Sequence, residues 1–115
     1  MPGIVVIGGG PAGYEAALVA AQLGADVTVV ERDGAGGACV LSDCVPSKTF
    51  IASSDAVTAV QKAKRLGVRV DGLVAQPEVA TIHDRVRQLA KAQSDDVESK
   101  LVKAGVRYIP GTARL

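Results

Sequence analysis

Three glycines in a row, Gly8-Gly9-Gly10, stop a short apolar run over residues 3–7 (GIVVI) and lead into Pro11-Ala12-Gly13. A continuous apolar run of that length suits a central parallel strand buried on both faces. The glycines then turn the chain. Gly8 to Gly13 satisfies G-x-G-x-x-G, with Gly8 for the tight turn, Gly10 for close approach of backbone to a pyrophosphate, and Gly13 for helix-on-strand contact. Pro11 suits the first helical turn, and Ala12 sits beside it at the end that faces phosphates. Behind them, Ala12, Ala16, Ala17, Ala20 and Ala21 are small enough to let the helix lie close on the sheet, and Gly24 supplies a stop.

Residues 26–31 (DVTVVE) read as a second, β-branched strand ending in an acid eighteen positions beyond Gly13. A carboxylate there can accept hydrogen bonds from a ribose diol, so Glu31 is the candidate. The competing reading is a glycine-rich βαβ turn with Glu31 solvated at a strand end. The unit predicts a dinucleotide fold but does not choose the ligand, since FAD and NAD share an adenosine ribose.

The only two cysteines, Cys39 and Cys44, are five positions apart. In a regular helix that spacing separates their Cα atoms by roughly 8.5 Å. A disulfide needs less than about 7 Å. The pair can therefore close only across a distorted, loosened turn, which makes the bond easier to reduce than a structural one. Three other readings compete. A four-ligand zinc site cannot be completed with only His83 far downstream, so no metal is expected. A static staple would close a small loop and gain little chain entropy. Two unrelated core thiols are the third. A redox-cycling pair is the reading that the surroundings favour.

A net charge of +1 with no basic cluster gives no field for nucleic acid or an acidic membrane. Aromatics are only 3% of the chain, so its core must come from Ala, Val, Leu and Ile in tight contact, thin for an independent unit. Neither a signal peptide nor a membrane helix is read, and the cytoplasm is the expected compartment. Residues 49–66 continue as helix with Phe50, Ala56, Val57, Val60 and Ala63 as the apolar stripe and Gly67 as the stop. An irregular connection is expected over 68–77. A second long helix over 79–103 carries Ile82, Val86, Leu89, Val97 and Leu101, with an interruption near Ser94-Asp95-Asp96. The two helices predict an antiparallel hairpin, and 106–109 a further strand. His83 lies on the solvated side and is expected to have no chemical role.

With those residues in place, the sequence resembles the flavoprotein disulfide reductases, the family of dihydrolipoyl dehydrogenase, glutathione reductase and mercuric reductase. The resemblance lies in GGGPAGYEAALVAAQLG, in Glu31, and above all in G-G-x-C-x-x-x-x-C-x-P-S-K from Gly36 to Lys48. It implies FAD as cofactor, with Gly8, Gly10 and Gly13 at the pyrophosphate and Glu31 at the adenosine ribose. Gly36 and Gly37 would line the flavin side, and Lys48 would lie near the flavin's reactive edge. Cys39 would be the interchange thiol and Cys44 the one against the isoalloxazine. NAD(P)H is the implied co-substrate, and the complete enzyme is implied to be a homodimer.

Between the cysteines, Val40-Leu41-Ser42-Asp43, followed by Lys48-Thr49-Phe50-Ile51-Ala52, is similar to an actinobacterial branch of NAD(P)H:quinone reductases. That leaves two acceptors, a quinone or a disulfide. Asp43 should also raise the pKa of the adjoining Cys44 thiol. Complete family members continue with an NAD(P)H domain, the rest of the FAD domain and an interface domain. Residues 1–115 are therefore expected to be the N-terminal part of a Rossmann-like α/β FAD-binding domain, with a helical insertion over about 45–103 and no activity alone. A non-catalytic dinucleotide-binding remnant or interaction module is the alternative.

Overall fold

The computed structural model describes residues 3–72 and 74–115. Leu73, inside the connection expected over 68–77, lies outside the described residues. Strand β1 (Gly3–Ile7), helix α1 (Pro11–Gln22) and strand β2 (Asp26–Glu31) follow as expected. After them come a short helix α2 (Gly37–Leu41), helix α3 (Cys44–Lys62) running into a 3₁₀ turn (Ala63–Leu66), helix α4 (Val79–Lys103) and strand β3 (Arg107–Pro110). The strands form one parallel sheet in the order β1-β2-β3, with Gly3 opposite Asp26 and Thr28 opposite Arg107. The architecture is the Rossmann-like α/β arrangement, with a helical hairpin between β2 and β3.

Both α1 and α4 end in the same way. In each, a glycine with positive φ (Gly24, 86°; Gly105, 82°) follows the last turn. The next amide reaches back to the carbonyl five residues earlier, Ala25 N–H to Ala20 and Val106 N–H to Leu101. This left-handed stop satisfies carbonyls that would otherwise be orphaned, and drops the chain directly into or beside a strand. Leu101 and Val106, joined by that bond, are both buried in the core.

The core gathers Ala17 of α1, Val27 and Val29 of β2, Ala35, Val97 and Leu101 of α4, and Val106. Both long-range helices thus pack on one face of the sheet. On α1, Ala17 lies in this core and Tyr14, Leu18, Ala20 and Ala21 pack against it, close to the i, i+3, i+4, i+7 stripe of a helix. Ala12 and Ala16 are exposed, contrary to the close packing expected of them, because successive residues turn by about 100° and these two fall off the stripe.

The expected burial of β1 on both faces is also corrected. β1 stands at the edge, with Val5 64% and Ile7 51% exposed, and β2 takes the central place. The apolar run records that such a strand needs cover on both sides, and among the described residues only β2 and one layer of helices supply it.

The helix over 79–103 is continuous, so the expected break near Ser94 is absent. Ser94 faces inward and donates to the Ala35 carbonyl at 2.6 Å, while Asp95 and Asp96 pair with Lys91 and Lys100 one turn away. Of the expected stripes, Val97 and Leu101 are buried, but Leu89, Phe50 and Ala56 are exposed. The reason is geometric: α3 and α4 form an antiparallel hairpin that projects from the sheet, so much of its length faces solvent. The radius of gyration, 19.8 Å, records the projection. A compact chain of this length would have about 13 Å. Along the hairpin, Arg85 donates to the Thr49 carbonyl at 3.2 Å, and the exposed His83 ring lies 6.5 Å from that of Phe50.

Candidate functional site

Parallel strands deliver their following loops to one edge of the sheet, and ligands of such sheets sit outside the carboxyl ends of the strands. Here three loops converge there. The Gly8 amide donates to Val30 and the Gly111 amide to Glu31, both at 2.8 Å, so the turns after β1 and β3 are stitched to the end of β2. Between them lies a cleft of about 360 Å³, walled by Gly8, Gly10, Glu31, Gly37 and Ala38 among others.

The glycine turn is shaped by what its residues lack. A Cβ on Gly13 would run into the Gly8 carbonyl oxygen, so only glycine lets α1 start this close to β1. Gly8 has a φ of 101°, which L side chains rarely adopt. At Gly10 a Cβ would meet nothing within 4 Å, so its hydrogen leaves an open approach to the backbone. The first intrahelical bond of α1 runs from the Tyr14 amide to the Gly10 carbonyl. The amides of Ala12 and Gly13 are thus the unpaired N–H groups of a helix start, the ordinary cradle for an anion. Pro11 has no amide and fills the first position without wasting one.

Glu31 is buried, and its carboxylate is held by backbone. Oε2 accepts from the Gly9 amide at 2.6 Å and Oε1 from the Asp33 amide at 2.8 Å. It is not solvated at a strand end. A carboxylate has about four acceptor positions, so two remain for a ligand at the cleft wall. At the cleft mouth, Arg32 and Asp33 form an exposed two-point pair at 3.1 and 3.0 Å. The hydrogen bond from Arg32 holds the Asp33 carboxyl below its usual range, and the same bond raises the guanidinium.

From the cleft the chain passes to the cysteines. The Gly36 amide donates to the Gly9 carbonyl at 2.8 Å, tying the segment before Cys39 to the glycine turn. A Cβ on Gly37 would stand 3.1 Å from the Gly10 Cα, so these two backbones touch. Cys39 lies in α2 and Cys44 opens α3, so the expected loosened turn is a break between two helices at Ser42-Asp43. Both are free thiols, Cys39 half-buried and Cys44 exposed. The hydrogen bond with Cys44 pushes the Cys39 thiol up, followed by desolvation and the charges of Cys44 and Asp43, while Lys48 pulls it down.

The structure brings Gly8, Gly10, Glu31 and Gly37 together on the cleft. Gly13 and Gly36 shape its backbone from behind, and Pro11 and Ala12 stand at its helix end. Cys39 follows Ala38 in α2, and Cys44 and Lys48 stand in the first turns of α3. Sequence reasoning missed Arg32, Asp33 and the Gly111-Thr112-Ala113 wall. A glycine directly after the last strand was the available signal for that wall. Ser94 was missed as well, and no local signal marks it.

The chain is 51% identical over 115 residues to an NAD(P)H dehydrogenase (quinone) of Mycobacterium tuberculosis, covering 97% of this chain and 23% of that protein. It is 42% identical over 110 residues to dihydrolipoyl dehydrogenase 2 of Haloarcula marismortui, covering 96% of this chain and 23% of the relative. Among solved structures, LpdA from Mycobacterium tuberculosis superposes with a TM-score of 0.87 at 49% identity, over 97% of this chain and 24% of the other. The flavoprotein disulfide reductase RclA from Escherichia coli shares the fold, with a TM-score of 0.77 at 20% identity over 99% of this chain and 22% of that one. The chain thus spans about a quarter of the length of these relatives. Residues 2–108 match the pyridine nucleotide-disulphide oxidoreductase family, and the chain belongs to it.

Proposed function

We propose that the chain is the N-terminal part of an FAD-binding domain in an NAD(P)H-dependent oxidoreductase whose electrons pass to a quinone, with the Cys39/Cys44 pair as a second outlet to disulfides. The observation that carries this reading is the backbone hydrogen bond from Gly36 to Gly9, which fastens the cleft to the segment that leads into the two cysteines. The similarity to a quinone-reducing relative favours the quinone as acceptor.

The residues fit an FAD. Its phosphates meet the free amides of Ala12 and Gly13, and Gly10 leaves room for their approach. The two remaining acceptor positions of Glu31 take the ribose hydroxyls. Bound FAD supplies the two-electron carrier between nicotinamide and acceptor. Gly36 and Gly37 keep the wall between cleft and thiols free of side chains, Lys48 offers a cation near the flavin's reactive edge, and Cys44 lies on the flavin side of Cys39. The rest of the domain is supplied by further chain that covers the sheet face bearing Val5, Ile7 and Ile109.

The test is expression of the complete protein, followed by its flavin spectrum and NADH and NADPH oxidation with a quinone and a lipoamide-type disulfide. A yellow protein that reduces the quinone supports the reading, and a colourless one, or one inert to both acceptors, contradicts it. Residues 1–115 alone are expected to hold FAD weakly and to turn over nothing, and steady turnover by them would contradict the domain assignment.

A further inference from the structure

Cys39 and Cys44 belong to two separate helices, α2 and α3, parted at Ser42-Asp43. In one continuous helix their Cα atoms would stand roughly 8.5 Å apart, beyond the reach of a disulfide. Whether the sulfurs can bond is therefore decided by how the two helices are placed relative to each other. The short link through the break does not fix that placement alone, and helix α4 packs on both α2 and α3. Besides that packing, α4 makes a hydrogen bond to each side of the break.

On the Cys39 side, the buried Ser94 hydroxyl donates to the buried Ala35 carbonyl at 2.6 Å, and the next residue, Gly36, is bonded to the glycine turn at Gly9. On the Cys44 side, Arg85 donates to the Thr49 carbonyl at 3.2 Å, and the Thr49 hydroxyl donates at 2.7 Å to the carbonyl of Val45, the residue directly after Cys44. These contacts span 59 and 36 positions of sequence, so they hold parts that local structure does not. Arg85 and Ser94 lie roughly 13.5 Å apart along α4 and about half a turn apart around it, so one helix reaches both arms.

We infer that α4 is a brace for the thiol pair, with Ser94 and Arg85 as positioning residues that hold the two arms of the break in place and so favour closure of Cys39 and Cys44 into a disulfide. The inference rests on the redox role proposed above for that pair. Two groups on a short link meet at an effective concentration set by how far the link and its supports let them wander. Freeing either arm lowers that concentration and favours the open dithiol. Closure takes one electron and one proton from each thiol and forms the Cys39–Cys44 bond. The oxidised partner takes up both electrons and both protons; with dithiothreitol, its cyclic disulfide opens to the dithiol.

The test equilibrates the complete protein under nitrogen with oxidised and reduced dithiothreitol at a series of ratios, then alkylates free thiols with iodoacetamide and measures the closed fraction of the pair by mass spectrometry. Wild type is compared with Ser94→Ala, Arg85→Met, the double variant and Asp95→Asn. Each single loss of a brace bond should move the exchange equilibrium about three- to fivefold toward the dithiol, the size expected of one hydrogen bond. That is a rise of about 15–20 mV in the potential of the pair. The double variant should move it by about tenfold or more, because the bonds hold different arms. Asp95→Asn, which touches neither arm, should stay within about 1.5-fold of wild type. A merely structural role would lower thermal stability and leave the equilibrium where it was. Curves of Ser94→Ala and Arg85→Met that superpose on wild type, a shift toward the disulfide, or an equal shift in Asp95→Asn would each overturn the inference. Should Ser94→Ala fail to fold, Arg85→Met, at an exposed position, decides alone. A wild type that closes no Cys39–Cys44 disulfide at any ratio would overturn the redox reading of the pair together with the brace, whereas a pair that closes without response to either variant would overturn the brace alone.

Discussion

The glycine turn and the cysteine break are one backbone hydrogen bond apart, from Gly36 to Gly9, and they are built by opposite means. At the turn, the working parts are amides and empty space. Atoms added on Gly13 would meet the Gly8 carbonyl, and on Gly36 the Val40 side chain, while Gly10 stays open to the cleft. At the break, the working parts are side chains, and Asp43, Cys44 and Lys48 are all exposed. The first region should therefore be intolerant of added volume and indifferent to charge. The second should tolerate changes of shape and respond to charge. Glu31 belongs to both kinds, since its carboxylate is a charge spent on fixing backbone.

The largest effect should come from Gly13→Ala. Its new methyl meets backbone, which cannot swing aside as a side chain can, so the cost is about 3 kcal/mol or more. FAD affinity of the complete protein, read by fluorescence titration, should fall at least about a hundredfold. Affinity within about threefold of wild type would break the contrast between the regions. Next is Glu31→Ala, which orphans the amides of Gly9 and Asp33 as well as removing acceptors from the cleft. Charge-assisted bonds contribute about 1.5–3 kcal/mol each, so FAD retention should weaken by about ten- to a hundredfold. An unchanged affinity would mean that the carboxylate serves neither the ligand nor the turn.

A smaller effect is expected from Ser94→Ala, because it removes one neutral hydrogen bond to the Ala35 carbonyl. A loss of about 1 kcal/mol should speed amide exchange in residues 34–37 by about fivefold, seen by hydrogen-exchange mass spectrometry. No change there would detach α4 from the site. Smallest is Asp95→Asn, which breaks an exposed pair with Lys91 on the same helix. Exchange at the same amides should stay within about twofold of wild type. A larger effect than that of Ser94→Ala would reverse the ranking.

The sequence made the turn legible because its determinants are local. Five residues of strand, the spacing of three glycines and an acid at the next strand end all act within one βαβ unit. Burial of β1 was misjudged since an apolar run states a need for cover and not where the cover comes from. The break expected in α4 followed from three short polar residues in a row. It is absent because Ser94 finds its partner 59 positions away and the two aspartates find lysines one turn off. The Gly111-Thr112-Ala113 wall depends on β3 pairing with β2, where Thr28 and Arg107 stand opposite one another. No local pattern encodes that proximity. At the break, spacing alone called for a distorted turn, and the structure resolves it as two helices parted at Ser42-Asp43.

The central claim is that the cleft and the thiol pair can serve two acceptors separately. It is tested most directly by NAD(P)H oxidation in the complete protein, wild type against Cys39→Ser, with a quinone and a lipoamide-type disulfide as alternative acceptors. Disulfide exchange requires a mixed disulfide on Cys39, so the account predicts that reduction of the disulfide is abolished. Quinone reduction should persist within about tenfold, a barrier change of roughly 1.4 kcal/mol at most. Loss of both activities together, with FAD still bound, would contradict it and make the thiol pair an obligatory carrier of electrons.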